Sequence, residues 1–191
     1  MTGRRARRVA FLMTDGFDET EFGVPYDRLR RAGHEPVIVG PVADSSIVGK
    51  HGADVVPVAL GAAQATVADF DAVVIPGGHS PDRLRIDRGV MAFLRAMIAA
   101  DRPVAAICHG PWLLVEADAV RGRRLTGWAS VRTDVRNAGG VWVDAPVVRD
   151  GPIVTSRRPD DSDVFADAIL AVLDDRADDP DARSRGSLPL S

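Results

Sequence analysis

The chain of 191 residues has one cysteine, one lysine and one tyrosine. A single cysteine, Cys108, excludes an intramolecular disulfide, a CxxC redox pair and a cysteine-rich zinc site. Histidine is almost as scarce. His34, His51, His79 and His109 are the four, they do not stand at metal-ligand spacing, and none follows position 109. Any histidine base for Cys108 is therefore His109 or comes from upstream. Long hydrophobic runs are missing too, since nothing approaches the ~18 apolar residues that span a bilayer. The first apolar stretch, Val9 to Met13, closes after five residues at Thr14-Asp15-Gly16. A secretory h-region takes ~7–15, so the stretch reads as the first strand of a cytosolic protein. A strong excess of one charge is also lacking. The net charge is −3, which gives no broad basic footprint for nucleic acid. Lys50 is the only lysine, so 23 of the 24 basic residues are arginine.

What is present is a 46% hydrophobic chain, long enough for one domain with a full apolar core. Buried strands are expected at Val9–Met13, Pro36–Gly40, Phe70–Ile75 and Pro103–Ile107. Helical patterning is expected over 19–32, 89–100, 109–119, 130–138 and 161–174, with a helical turn at Pro81–Arg85. Pro25 inside the first of these marks a kink or a first turn. Two short strands bracket a turn at Gly49-Lys-His-Gly52, and more short strands follow near 124–126, 141–143, 147–149 and 153–155. Residues 1–175 then form one domain, and 176–191, rich in Asp, Arg, Pro, Ser and Gly, read as a disordered tail. Strands alternating with helices predict an α/β fold with a parallel sheet covered on both faces. Ligands bind such sheets at the carboxyl ends of the strands. Loops 14–21, 76–82 and 108–111 lie at such ends and are expected to converge.

Ala105-Ala-Ile-Cys-His-Gly-Pro-Trp112 is a strand, a turn and a helix with cysteine at the turn. That is the pattern of a nucleophile elbow, which needs small residues beside the nucleophile, here Ala106 and Gly110. A thiol near a helix start is biased towards thiolate, and nearby backbone N–H groups suit an oxyanion. The alternative is a buried structural cysteine. His109 follows directly and permits a Cys-His dyad. Asp15-Gly-Phe-Asp-Glu-Thr-Glu21 crowds acids at the start of the first helix, where they offset its partial positive charge. Glu21, a turn further in, also reads as a carboxyl buried beside the thiol and held protonated. Pro76-Gly77-Gly78 is either an ordinary turn or a place where backbone N–H groups meet a ligand. Asp82 reads as a helix N-terminal residue. Trp112, Trp128 and Trp142 each read as helix or strand core before pocket wall, and Trp112, four residues after Cys108, is the best pocket candidate of the three. Class I glutamine amidotransferases share this kind of elbow but use a downstream His-x-Glu, which the chain lacks.

These segments together resemble the ThiJ/PfpI family, peptidase family C56, over roughly residues 7–174. The likeness rests on Ala106-Ile-Cys-His-Gly-Pro111, Gly49-Lys-His-Gly52, Pro76-Gly-Gly78, Asn137-Ala-Gly-Gly-Val-Trp-Val-Asp144 and Val154-Thr-Ser-Arg157, and is nearest to the PfpI-like intracellular protease branch. It implies a flavodoxin-like three-layer sandwich and a homodimer that can assemble further into a hexamer. It implies Cys108 as nucleophile with His109 beside it, and Glu21 hydrogen-bonded to the sulfur. It also implies oxyanion N–H groups from Gly77, Gly78 and His109, and no metal or other cofactor. In the PfpI branch an acid from a neighbouring subunit completes a triad. That position is Asp82 here, one methylene shorter than the family's Glu. The activities implied are glyoxalase III or deglycase chemistry on reactive dicarbonyls and their adducts. The alternatives are an intracellular cysteine peptidase acting on peptides, and a redox-sensing stress chaperone.

Overall fold

The computed structural model describes residues 5–176. The first apolar run becomes β1 (Arg8–Leu12), followed by α1 (Glu19–Arg31) and β2 (Glu35–Gly40). Next come β3 (Ser46–Val48), β4 (Val55–Pro57), β5 (Leu60–Gly61) and β6 (Ala72–Ile75). Helices α2 (Ser80–Leu84) and α3 (Arg88–Ala99) lead to β7 (Val104–Ile107) and α4 (Pro111–Glu116). The last third holds β8 (Arg124–Leu125), α5 (Arg132–Asn137), β9 (Val141–Trp142), β10 (Val147–Asp150), β11 (Ile153–Ser156) and α6 (Ser162–Asp175).

Seven strands form one sheet in the order β10-β11-β7-β6-β1-β2-β5, parallel throughout except for the β10–β11 pair. Along its central strands successive side chains enter different cores, as the two-residue period of a strand requires. Leu12, Ile75 and Ala106 pack with Leu94, Met97 and Leu113 on one face. Phe11, Val74 and Ile107 pack with Phe22, Phe165 and Ile169 on the other. Helices cover both faces, and this is the α/β sandwich expected from the sequence. Strands β6 and β7 are buried at every residue, which is why they read as continuous apolar runs.

Three local differences have clear causes. Helix α1 runs unbroken through Pro25, so the proline neither starts nor ends it. It packs against α6, and the burial of Phe22 and Leu29 outweighs one missing backbone donor. Helix α4 begins at Pro111 rather than at His109. Trp112 N–H and Leu113 N–H bond three residues back, to His109 and Gly110, so the elbow is a tight turn before the helix. Strand β5 was not expected, because two residues carry no detectable period. The expected tail lies outside the described residues except for Arg176, which donates to the Asp101 carboxylate at 2.6 Å. Among the described residues no helix is long and apolar enough to cross a membrane.

Candidate active site

Strands β7, β6 and β1 are neighbours, so the three loops at their carboxyl ends meet. Gly78 and Gly49 flank Phe17 through isolated backbone bridges. His79 N–H donates to Gly16 carbonyl at 2.7 Å, and Lys50 N–H to Phe17 carbonyl at 2.9 Å. The 49–52 turn is thereby drawn into the same place as the other three loops.

Cys108 sits at the end of β7 with φ +60°, in the left-handed region. For a residue with a side chain that conformation costs about 1–3 kcal/mol and needs support from its surroundings. The support is visible. Cys108 N–H donates to Ser156 carbonyl at 3.0 Å, and its own carbonyl accepts from Trp128 N–H at 2.8 Å. A Cβ on Gly110 would stand 2.7 Å from Ile75 carbonyl oxygen, so the small residue expected there is a steric need. The thiol is 6% exposed.

Glu21 reaches the sulfur from below. Asp18 caps α1, its Oδ1 accepting from Thr20 and Glu21 N–H groups at 3.0 Å each, and this sets Glu21 in the first turn facing inward. Glu21 is fully buried, and its Oε2 accepts from Gly77 N–H at 2.9 Å. Oε1 has no hydrogen-bond partner, and the Cys108 thiol is near enough to act on the carboxyl's proton. A Cβ on Gly77 would lie 2.5 Å from Glu21 Oε2 and 2.6 Å from Cys108 Cβ. Glycine at 77 is what lets carboxyl and thiol meet.

Burial, and then the charge of Asp18, push the Glu21 carboxyl up to about 8. The acid is therefore protonated at neutral pH and can donate to sulfur. Burial and the neighbouring Glu21 also push the Cys108 thiol up, while the backbone N–H groups of Gly78 and His109 pull it down. This differs from the freely activated thiol expected of an elbow. Two acids in contact titrate as a pair: one negative charge is shared between them, and a second is opposed by repulsion in a buried space.

His109 Nδ1 lies 3.3 Å from Cys108 Sγ, and Nε2 lies 3.3 Å from Ser130 Oγ. Burial, then the nearby His79 and Lys50, lower its pKa, so His109 tends to the neutral form that can take a proton. Asp82 is exposed on α2, and within one chain it has no hydrogen bond to His109. A cleft of about 310 Å³ opens above the sulfur, lined by Lys50, Gly78, His79, Cys108, His109 and Trp128 among others. Trp112, the best pocket candidate of the three tryptophans, is not among its lining residues. Its Nε1 donates to Asp134 Oδ2 at 2.7 Å, and its ring packs behind His109 at 4.9 Å. Trp128, expected in the core, is 41% exposed and forms the aromatic wall. An irregular segment carries it, so no sequence period marks the side it faces.

Lys50, Asp18 and Ser130 were missed as members of the site. Lys50 Nζ donates to Asp18 Oδ2 at the cleft. A sequence signal for Lys50 existed, since it is the chain's only lysine and stands between two glycines of a turn. Among the described residues no group of three or more His, Cys, Asp or Glu side chains is arranged to hold a metal ion.

The DJ-1/PfpI family matches residues 7–172. The chain is 43% identical over 169 residues to protein/nucleic acid deglycase 2 of Escherichia coli (strain K12), covering 88% of this chain and 98% of that one. It is 44% identical over 172 residues to an uncharacterized protein of Staphylococcus saprophyticus, covering 89% and 99%. A two-domain protein of Anabaena variabilis, with DJ-1/ThiJ/PfpI-like and ferritin-like domains, superposes with a TM-score of 0.86 at 37% identity. That match covers 88% of this chain and 50% of the other. Schizosaccharomyces pombe DJ-1 shares the fold, with a TM-score of 0.77 at 21% identity over 95% of this chain and 100% of that one. The match runs from the first strand into the last helix and takes in every loop of the cleft: the chain belongs to the DJ-1/PfpI family.

Proposed function

We propose that this chain is a cofactor-independent cysteine enzyme acting on reactive dicarbonyls or their adducts with amines, with Cys108 as nucleophile. The observation that carries this reading is the buried Glu21 carboxyl brought against Cys108 at Gly77, beneath an open cleft. The similarity to a deglycase supports the substrate class.

With methylglyoxal, Cys108 Sγ bonds to the aldehyde carbon, and the carbonyl oxygen takes up a proton to give a hemithioacetal. The backbone N–H groups of Gly78 and His109 support the developing oxyanion. The proton on that carbon then moves to the neighbouring ketone carbon through an enediol, with neutral His109 as the base and Glu21 returning protons. The product is a lactoyl thioester. Water cleaves its C–S bond, lactate leaves and the thiol is restored. In a hemiaminal adduct the C–N bond breaks and the amine leaves with the thiol's proton as Cys108 Sγ bonds to the same carbon; the resulting hemithioacetal follows the same route to lactate.

D-lactate formation from methylglyoxal by wild type and Cys108→Ala tests the proposal. The variant is expected to lose at least ~100-fold in rate, and equal rates would sink the reading. The peptidase alternative needs an acid on His109 Nε2, which Ser130 engages within one chain. It requires Asp82 from a second copy, so an active monomer would exclude it.

A further inference from the structure

The two ring nitrogens of His109 have different partners. Nδ1 faces Cys108 Sγ and Nε2 faces Ser130 Oγ, both at 3.3 Å. A neutral imidazole carries one proton and one lone pair. The base role set out above needs the lone pair on Nδ1, so the proton must sit on Nε2 and meet an acceptor there. The group that the chain offers at Nε2 is the Ser130 hydroxyl.

Ser130 is fixed with respect to the elbow. It lies in a single 3₁₀ turn, Ala129–Val131, between Trp128 and the fully buried Val131. Trp128 N–H donates to Cys108 carbonyl at 2.8 Å, and Val131 N–H closes the turn on Trp128 carbonyl at 2.9 Å. The hydroxyl is thus carried by backbone that is bonded to Cys108 itself. The imidazole stands between two indoles, its centroid 4.9 Å from that of Trp112 and 6.4 Å from that of Trp128. A half-turn of the ring about Cβ–Cγ would put carbons where both nitrogens stand and lose both contacts.

We propose that Ser130 is the positioning residue of the Cys108–His109 pair: its hydroxyl accepts from Nε2–H and so keeps the Nδ1 lone pair turned to the reacting atoms. This rests on the cysteine-enzyme reading above and deepens it. A serine acts differently here from a carboxylate. Both accept from Nε2–H, but only a carboxylate adds the charge that stabilises imidazolium. With serine the ring stays a neutral base, oriented within one chain and without an acid from a second copy. In the reaction Nδ1 takes the proton from the hemithioacetal carbon while Nε2 keeps its own. That proton is given back as the neighbouring carbon is protonated, so the isomerisation consumes none. Four side chains act on the charge of the ring. Cys108 stands at Nδ1, His79 and Lys50 oppose protonation from the neighbouring loops, and Asp82 favours it from α2.

The test reads the ring and the rate separately. Nitrogen NMR of the resting full-length protein, labelled at histidine, identifies the His109 signals by their loss in His109→Asn. At neutral pH they should show Nε2 protonated and Nδ1 bare. Ser130→Ala should raise the share of the Nδ1–H tautomer, lower kcat for methylglyoxal ~10-fold and leave KM within ~2-fold. Ser130→Thr keeps a hydroxyl and should restore both the tautomer and kcat. Ser130→Asp should move the acid limb of kcat/KM upward by about one pH unit, because a carboxylate at Nε2 lets His109 hold a second proton to higher pH. A proton on Nδ1 in wild type overturns the proposal. So does a Ser130→Ala variant with wild-type tautomer or wild-type kcat, a loss that Ser130→Thr does not recover, or an unmoved acid limb in Ser130→Asp. If wild type does not turn over methylglyoxal, the enzymatic reading fails, while the tautomer in the resting protein still decides whether Ser130 sets the ring.

Discussion

Lys50 donates to Asp18, and Asp18 in turn caps the helix that carries Glu21. The chain's only lysine is thus tied to the acid whose charge, after burial, does most to keep Glu21 protonated. A line of three side chains runs from the cleft mouth to the acid beneath the sulfur. It sets both the position of Glu21 and its proton.

Replacing Lys50 by Met leaves the Asp18 carboxylate, 2% exposed, without its cation. The expected cost is about 1–3 kcal/mol in a urea melt, below that of a fully buried pair because Lys50 is 28% exposed. Lys50 also lowers the Glu21 pKa, so its loss should hold the Glu21 proton to higher pH. Iodoacetamide alkylation of Cys108 against pH reads that shift. An unchanged profile would show that the lysine does not act on the pair.

Glu21→Gln keeps an oxygen for Gly77 N–H and removes the titrating proton. The fold should survive, and the pH profile of Cys108 alkylation should change. The stability profile gives a second reading. Unfolded Glu21 releases its proton near 4.5, whereas the folded carboxyl keeps it to about 8. Between those values the folded state binds more protons, so wild type should lose stability as pH rises through the window. The loss is on the order of a few kcal/mol, and Glu21→Gln should lack it. Parallel stability curves for the two proteins from pH 4.5 to 8 would count against a buried, protonated Glu21.

Gly77→Ala places a methyl where Glu21 Oε2 and the Cys108 Cβ already stand, at 2.5 and 2.6 Å. One of those groups has to move. The expected result is a loss of about 1–3 kcal/mol with at least ~10-fold lower thiol reactivity. A variant of wild-type reactivity would mean that the carboxyl–thiol contact tolerates displacement.

The two tryptophans should separate in kinetics. Trp128→Ala removes the exposed wall of the cleft and is expected to raise KM for a carbonyl substrate several-fold with little change in stability. Trp112→Phe breaks the bond to exposed Asp134, keeps an aromatic ring beside His109 and Arg85, and should leave KM within about 2-fold of wild type. The opposite ranking would return Trp112 to the pocket.

The elbow could be read from residues 105–112 because a buried strand, one cysteine at a turn and the small residues beside it are local features. The apolar runs of β6 and β7 were equally legible, since central parallel strands are buried on both faces. The 49–52 turn was also visible, but not its destination. Nothing local says that Lys50 crosses to Asp18, 32 residues away in sequence. The same holds for Ser130 at His109, and for the side of the chain on which Trp128 emerges.

The chain's scarcities narrow where a cysteine-centred site can lie. With one cysteine and no histidine after 109, any thiol and any histidine beside it come from Cys108, His109 and upstream residues. Composition and local pattern were enough for that, because residue type and turn geometry belong to short stretches of chain. The protonation of Glu21 was decided by packing. A carboxyl keeps its proton near neutrality only when distant segments exclude water and bring a second negative charge close. The same packing placed Trp128 rather than Trp112 at the cleft. Such proximity comes from the strand order and the register of the sheet, not from spacing along the chain.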